Sequence, residues 1–236
     1  MDAKKTFIVN LGGSLIVPND INVDFLKEFR TLILEQIKAK EQRFVFITGG
    51  GKTARRYAEA AGTICEEVND EDKDWLGIHA TRMNAHLIRT IFRDHAHPRI
   101  NTNPHDLEDF HQCTQPIMIA AGWKPGFSTD YDTALLTRYL GIKKVVNLSN
   151  IDYIYDKDPQ EFPDAKKIEE LSWAEYREMT HADKWTPGMN VPFDPVAAKF
   201  AEKEDIEVVT LKGTNLENLK AYLNDEKFEG TLIKSN

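Results

Sequence analysis

The chain of 236 residues has only two cysteines, Cys65 and Cys113, far apart and without a CxxC pair. That excludes a disulfide framework and a cysteine-based zinc site. No apolar run approaches the ~18 residues of a membrane span, so no membrane partner is expected. Basic residues are outnumbered 38 to 30, for a formal net charge of −8. A general nucleic-acid binder would carry a basic face, so no nucleic-acid partner is expected either. The seven histidines form no H-E-x-x-H pattern and there is no G-x-S-x-G elbow, which removes zinc-hydrolase and triad chemistry. Met1-Asp2-Ala3-Lys4-Lys5 does not open a signal peptide; the cytoplasm is the expected location. There is no internal repeat and no low-complexity stretch.

What is present is glycine in two telling places. Gly12-Gly13-Ser14 follows the apolar run Thr6–Leu11, and Gly49-Gly50-Gly51-Lys52 follows Arg43–Thr48. A strand ending in glycines that open a helix leaves main-chain N–H groups unpaired at the positive end of the helix dipole. Such a turn favours anions, phosphate above all. Two of them suggest a protein that holds more than one phosphate group at once, as phosphoryl transfer requires.

Periodicity predicts helices over 23–40, 53–65, 72–93, 106–113, 129–140, 194–204 and 216–223. A further short helix starts at Ser172, whose Glu175 completes a capping-box pattern. Strands are expected at 6–11, 43–48, 116–121, 143–148 and 207–211, with a closing edge strand at 230–234 and mostly loop over 149–170. This alternation indicates an α/β fold with a largely parallel sheet, in which ligands sit beyond the C-terminal strand ends. Polar, glycine-bearing segments begin after residues 11, 48, 121 and 148, where those ends fall. With 41% hydrophobic residues the chain can bury a substantial core. The expectation is a single domain over 1–236, with a seam at 149–193.

Gly51-Lys52-Thr53 resembles the tail of a P-loop, but the required first glycine falls at Phe46. Gly49 to Ala54 satisfies G-x-G-x-x-A, yet at the second strand rather than the first. The segment Gly122 to Asp130 combines glycines, a cation, two aromatics, two hydroxyls and a carboxylate. It can stack a ring and donate to phosphate, while Ser128 or Thr129 caps the following helix. Ser149 to Pro159 mixes Tyr with Asp and could grip a nucleoside; the plainer reading is a solvated acidic turn.

In order, these segments resemble the amino acid kinase superfamily, and within it the archaeal-type uridylate kinases. The carriers are Asn10–Ser14, Gly49–Arg55, Asp74–Ile78 with Thr81–Ala85, Gly122–Asp130, Ser149–Asp152, Tyr155–Pro159, Asp194–Lys199 and the terminal Gly230–Ile233. The resemblance implies a three-layer α/β/α sandwich with a largely parallel central sheet. Residues 1–148 would form the acceptor and phosphate half, and 149–236 the ATP half. It implies ATP as donor with Mg²⁺, UMP as acceptor, no dedicated protein metal site, and a homo-oligomer, hexameric in the family. By position, Gly13, Ser14, Gly51 and Arg55 would face ATP phosphates, and Ser149, Tyr155 and Asp158 the adenosine end. Gly50, Asp74 and the run Trp123, Lys124, Pro125, Gly126, Phe127, Ser128 and Thr129 would bind UMP. Lys52, Asp130 and Asp194 are the catalytic candidates. Asn10 stands where bacterial members carry Lys, Tyr153 replaces a glycine of the nucleotide loop, and Trp123, Lys124 and Phe127 differ from the usual acceptor loop. Alternatives are another small phosphate or carboxylate acceptor, a non-catalytic nucleotide or oxyanion binder, and a Rossmann-type dehydrogenase.

Overall fold

The computed structural model describes residues 5–180 and 191–236. In chain order the elements are β1 (Thr6–Leu11), α1 (Gly13–Ile16), α2 (Val23–Lys40), β2 (Arg43–Thr48), α3 (Gly51–Ile64), α4 (Asp70–Ile91), α5 (Glu108–Gln112), β3 (Ile117–Ala120), α6 (Thr129–Tyr139) and β4 (Lys144–Ser149). There follow β5 (Ile154–Tyr155), β6 (Lys167–Ile168), β7 (Glu170–Ser172), α7 (Trp173–Thr180), α8 (Pro195–Lys203), β8 (Glu207–Lys212), α9 (Leu216–Leu223) and β9 (Thr231–Lys234).

Among the described residues one sheet of seven strands runs in the order β3-β2-β1-β4-β8-β9-β7. Strands β3, β2, β1, β4 and β8 are parallel, so their C-terminal ends share one edge. Alternation along each strand feeds two cores. Phe7, Val9, Leu11, Phe44 and Phe46 face α2, α4 and α9, whereas Ile8, Val45, Ile47 and Val145 face α6, α7 and α8. The result is a three-layer α/β/α sandwich. On the first face Phe29, Phe46 and Phe92 pack ring on ring, with centroids 5.4–6.3 Å apart.

Several boundaries differ from the sequence reading. Helix α3 starts at Gly51 rather than Thr53, and α4 starts at Asp70, capped by the Asn69 side chain on the Asp72 N–H. The segment 149–170 holds an antiparallel hairpin of β5 and β6 as well as the start of β7. The expected edge strand near 230–234 is interior: β9 pairs antiparallel with β8 and parallel with β7, which forms the edge. The physical reason is visible in the burial of Thr231 and Ile233, both shut from solvent. Of the two cysteines, Cys65 is exposed and Cys113 buried. Among the described residues no helix is long and apolar enough to cross a membrane.

Candidate active site

The turns after β1 and β2 are in main-chain contact. The Gly12 N–H donates to the Leu148 carbonyl at 3.0 Å, and the Gly49 N–H to the Leu11 carbonyl at 3.0 Å, which carries the strand register into the turns. A Cβ on Gly13 would lie 2.1 Å from the Gly51 nitrogen, and one on Gly51 2.3 Å from the Gly13 carbonyl oxygen. Gly51 also has φ +65°, a conformation natural only to glycine. Asn84 on α4 pins the second turn by donating to the Gly49 carbonyl at 2.7 Å.

These turns floor a cleft of about 540 Å³. Gly13, Ser14, Gly50 and Gly51 line it from below, with Ala54, Arg55, Ala58 and Glu59 of α3 on one side. Lys73, Asp74, Gly77, Ile78 and Thr81 of α4, which packs on α3, form a second wall, and Gly122 with Phe127 to Asp130 complete the lining as a roof. Ten residues anticipated from the sequence therefore converge: Gly13, Ser14, Gly50, Gly51, Arg55, Asp74, Phe127, Ser128, Thr129 and Asp130.

Asp74 is buried and takes the Gly126 N–H at 2.7 Å. Desolvation raises its carboxyl above the usual range, and that hydrogen bond works against the rise. Asp130 takes the Asn10 amide at 2.6 Å and the Asp194 N–H at 2.8 Å. Desolvation, aided by the neighbouring Asp194 charge, pushes it up to about 7. Asp132, on the next turn position but one, is also pushed up to about 7, by burial first and then by Asp130. Asn10 bridges further, donating to the Asn147 side chain at 3.0 Å and so tying β1 to β4 beneath the cleft.

Other anticipated residues stand outside the cleft lining. Lys52 is held through its N–H, on the Val17 carbonyl. Asp194 is the N-cap of α8, accepting from the Ala197 N–H at 2.7 Å, and meets the cleft lining through its N–H on Asp130 and its carboxylate on the Ser128 side chain. Trp123 packs on Phe127 (5.2 Å between centroids) and on His105 (4.8 Å). The Lys124 ammonium sits over the Trp123 ring at 4.1 Å, while Pro125 and Gly126 continue the roof loop. Ser149 ends β4 with its hydroxyl on Asn150, the Tyr155 hydroxyl donates to Asp152 at 3.1 Å, and Asp158 accepts from the Gln160 N–H. Tyr153 is buried beneath the Lys167 ammonium, 4.5 Å from its ring centre. Sequence reasoning missed Lys73, Glu59 and Thr81 as lining residues. The signal was available for Thr81, because Asp74, Gly77, Ile78 and Thr81 follow the 3–4 residue spacing of one helix face.

A model of the amino acid kinase family matches residues 5–211. A protein named uridylate kinase from Thermococcus kodakarensis is 33% identical over 206 residues, covering 85% of this chain and 87% of that one. Another of that name from Methanospirillum hungatei is 33% identical over 98% of this chain and 95% of that one. Among solved structures, the uridylate kinase of Archaeoglobus fulgidus superimposes with a TM-score of 0.80 at 28% identity, covering 97% and 99% of the two chains. The UMP kinase of Bacillus anthracis gives 0.77 at 18% identity, over 98% and 96%, a likeness of fold alone.

Proposed function

Because the chain belongs to the amino acid kinase family, we propose that it transfers the γ-phosphoryl group of ATP to UMP. A UMP phosphate oxygen attacks the γ phosphorus, the bond to the β–γ bridging oxygen breaks, and ADP and UDP leave. What supports this reading is the contact between the two glycine turns, whose main chains pack on each other with no side chain between them and line one cleft. The acceptor is already an anion, so no protein nucleophile is required. Positioning and charge neutralisation supply the catalysis.

On this reading Gly13, Ser14, Gly51 and Arg55 hold the ATP phosphates, with Ser149, Tyr155 and Asp158 toward the adenosine. Gly50, Asp74 and the loop from Trp123 to Thr129 hold UMP, Phe127, Ser128 and Thr129 directly and Trp123 to Gly126 as their backing. Lys73, which lines the acceptor wall, adds a cation to that end. Lys52 and Asp130 serve catalysis, and Asp194 acts through Asp130. Among the described residues no three His, Cys, Asp or Glu side chains converge to hold a metal. A Mg²⁺ would be carried mainly by phosphate oxygens and water, with Asp130, which lines the cleft, as its protein carboxylate. When bound, the ion neutralises phosphate charge. The reading also implies a cytoplasmic homo-oligomer, and the exposed Tyr57, Ile64 and Met83 on α3 and α4 offer it apolar surface.

A coupled ADP-release assay across UMP, CMP, dUMP and AMP tests the proposal. UMP is expected to be turned over best, and preference for another acceptor, or none, refutes it.

A further inference from the structure

The roof loop begins with a stretch whose main chain is held entirely by side chains. The Gly122 N–H donates to Thr81 Oγ1 at 2.9 Å. The Gly122 carbonyl accepts from Arg82 Nε and Nη2 at 3.3 and 3.2 Å, and the Trp123 carbonyl from Arg82 Nη2 at 3.0 Å. The Trp123 N–H donates to Asp132 Oδ2 at 3.0 Å. All polar main-chain groups of these two residues are thus tied to α4 or α6. Four residues on, the Gly126 N–H returns to α4 through Asp74. Neither Arg82 nor Asp132 lines the cleft, and Asp132 is only 2% exposed.

We infer that Arg82 and Asp132 are positioning residues for the acceptor, setting where the Gly122–Phe127 loop places Phe127, Ser128 and Thr129. The assignment of that loop to UMP rests on the proposed function. Arg82 is suited to the task because its planar fork reaches two successive carbonyls, which a lysine ammonium cannot match in one fixed geometry. A carbonyl or N–H left without its partner here costs the loop its orientation, since neither β3 nor α6 offers a main-chain substitute. The residues assigned to the ATP phosphates, Gly13, Ser14, Gly51 and Arg55, share none of the Arg82 and Asp132 contacts. The clamp therefore acts on one substrate and not the other.

The test compares R82M and R82K with the parent chain in two measurements. Steady-state kinetics should show the KM for UMP raised about tenfold in R82M, with kcat and the KM for ATP within about threefold, and R82K between. Hydrogen exchange on the ligand-free chain should show amides of 122–127 exchanging about tenfold faster in R82M, with β1 and β2 unchanged. D132N, which keeps an acceptor for the Trp123 N–H, should resemble R82K and guards against misfolding of R82M. An unchanged KM for UMP overturns the inference even if exchange accelerates, and so does an equal rise in both KM values. If the parent chain turns over no UMP, the proposed function fails by itself. The exchange measurement then decides the clamp, and unaltered exchange overturns it.

Discussion

A methyl group at position 13 has nowhere to go, because the atoms it would meet are main chain from the neighbouring turn. Gly13→Ala should therefore cost about 3 kcal/mol or more, as over-packing against unyielding atoms does, measured by urea unfolding. A second residue-scale consequence concerns pH. Asp130 and Asp132 each rise from an ordinary 3.8 to about 7 in the fold. Both carboxyls hold their protons in the native state after the unfolded chain has lost them. Their stabilising contribution is full below about pH 4, falls as pH climbs toward 7, and is gone above it. D130N should remove at least half of that slope, since it deletes one group and relieves the other of its charged neighbour. Urea titrations at pH 5 and pH 7.5 check this, and an unchanged slope would contradict it. The glycines of this site could be read from the sequence because steric exclusion has a single residue type as its answer. The positions of Lys52 and Asp194 could not. Spacing does not say what a group is spent on: Lys52 is held through its main-chain N–H on the Val17 carbonyl, and the Asp194 carboxylate caps α8.

At the scale of elements, capping explains why β7 can run straight into α7. Ser172 Oγ accepts from the Glu175 N–H at 3.2 Å, and the Glu175 carboxylate takes the Ser172 N–H at 2.7 Å. The helix so launched carries Trp173 and Tyr176 into the second core. Ser172→Ala should cost about 1 kcal/mol, seen as a lower urea midpoint with an unchanged slope. This cap was legible, since the S-x-x-E spacing is local. The strand before it was not, because three residues of β7 carry too short an alternation to stand out. The same holds for the hairpin of β5 and β6, whose four paired residues lie in an Asp- and Pro-rich stretch. Helix α4 was legible as an element, and Asp74 on its lining face was named, but Lys73 and Thr81 were missed and Arg82's hold on the roof loop is a tertiary fact with no sequence period behind it.

For the whole molecule, the order β3-β2-β1-β4-β8-β9-β7 makes the last strand structural. Deleting 230–236 should not trim an edge. It strips both partners' hydrogen bonds and the buried Ile233, leaving β7 and α7 unsupported. The expected outcome is loss of a cooperative unfolding transition, checked by circular dichroism against temperature. Alternating strands and helices gave the layer architecture directly, since connection handedness and strand pairing follow general rules. They could not tell that β9 reverses direction and slips inward.

On the proposed reading, gripping phosphate with peptide nitrogens has a price in adaptability. Point mutation rewrites side chains, so it has almost no vocabulary for altering an amide cradle except to break it. Any drift in this scaffold's taste for one nucleotide over another has to be spelled in the roof and the α4 wall, while the transfer chemistry is inherited unedited.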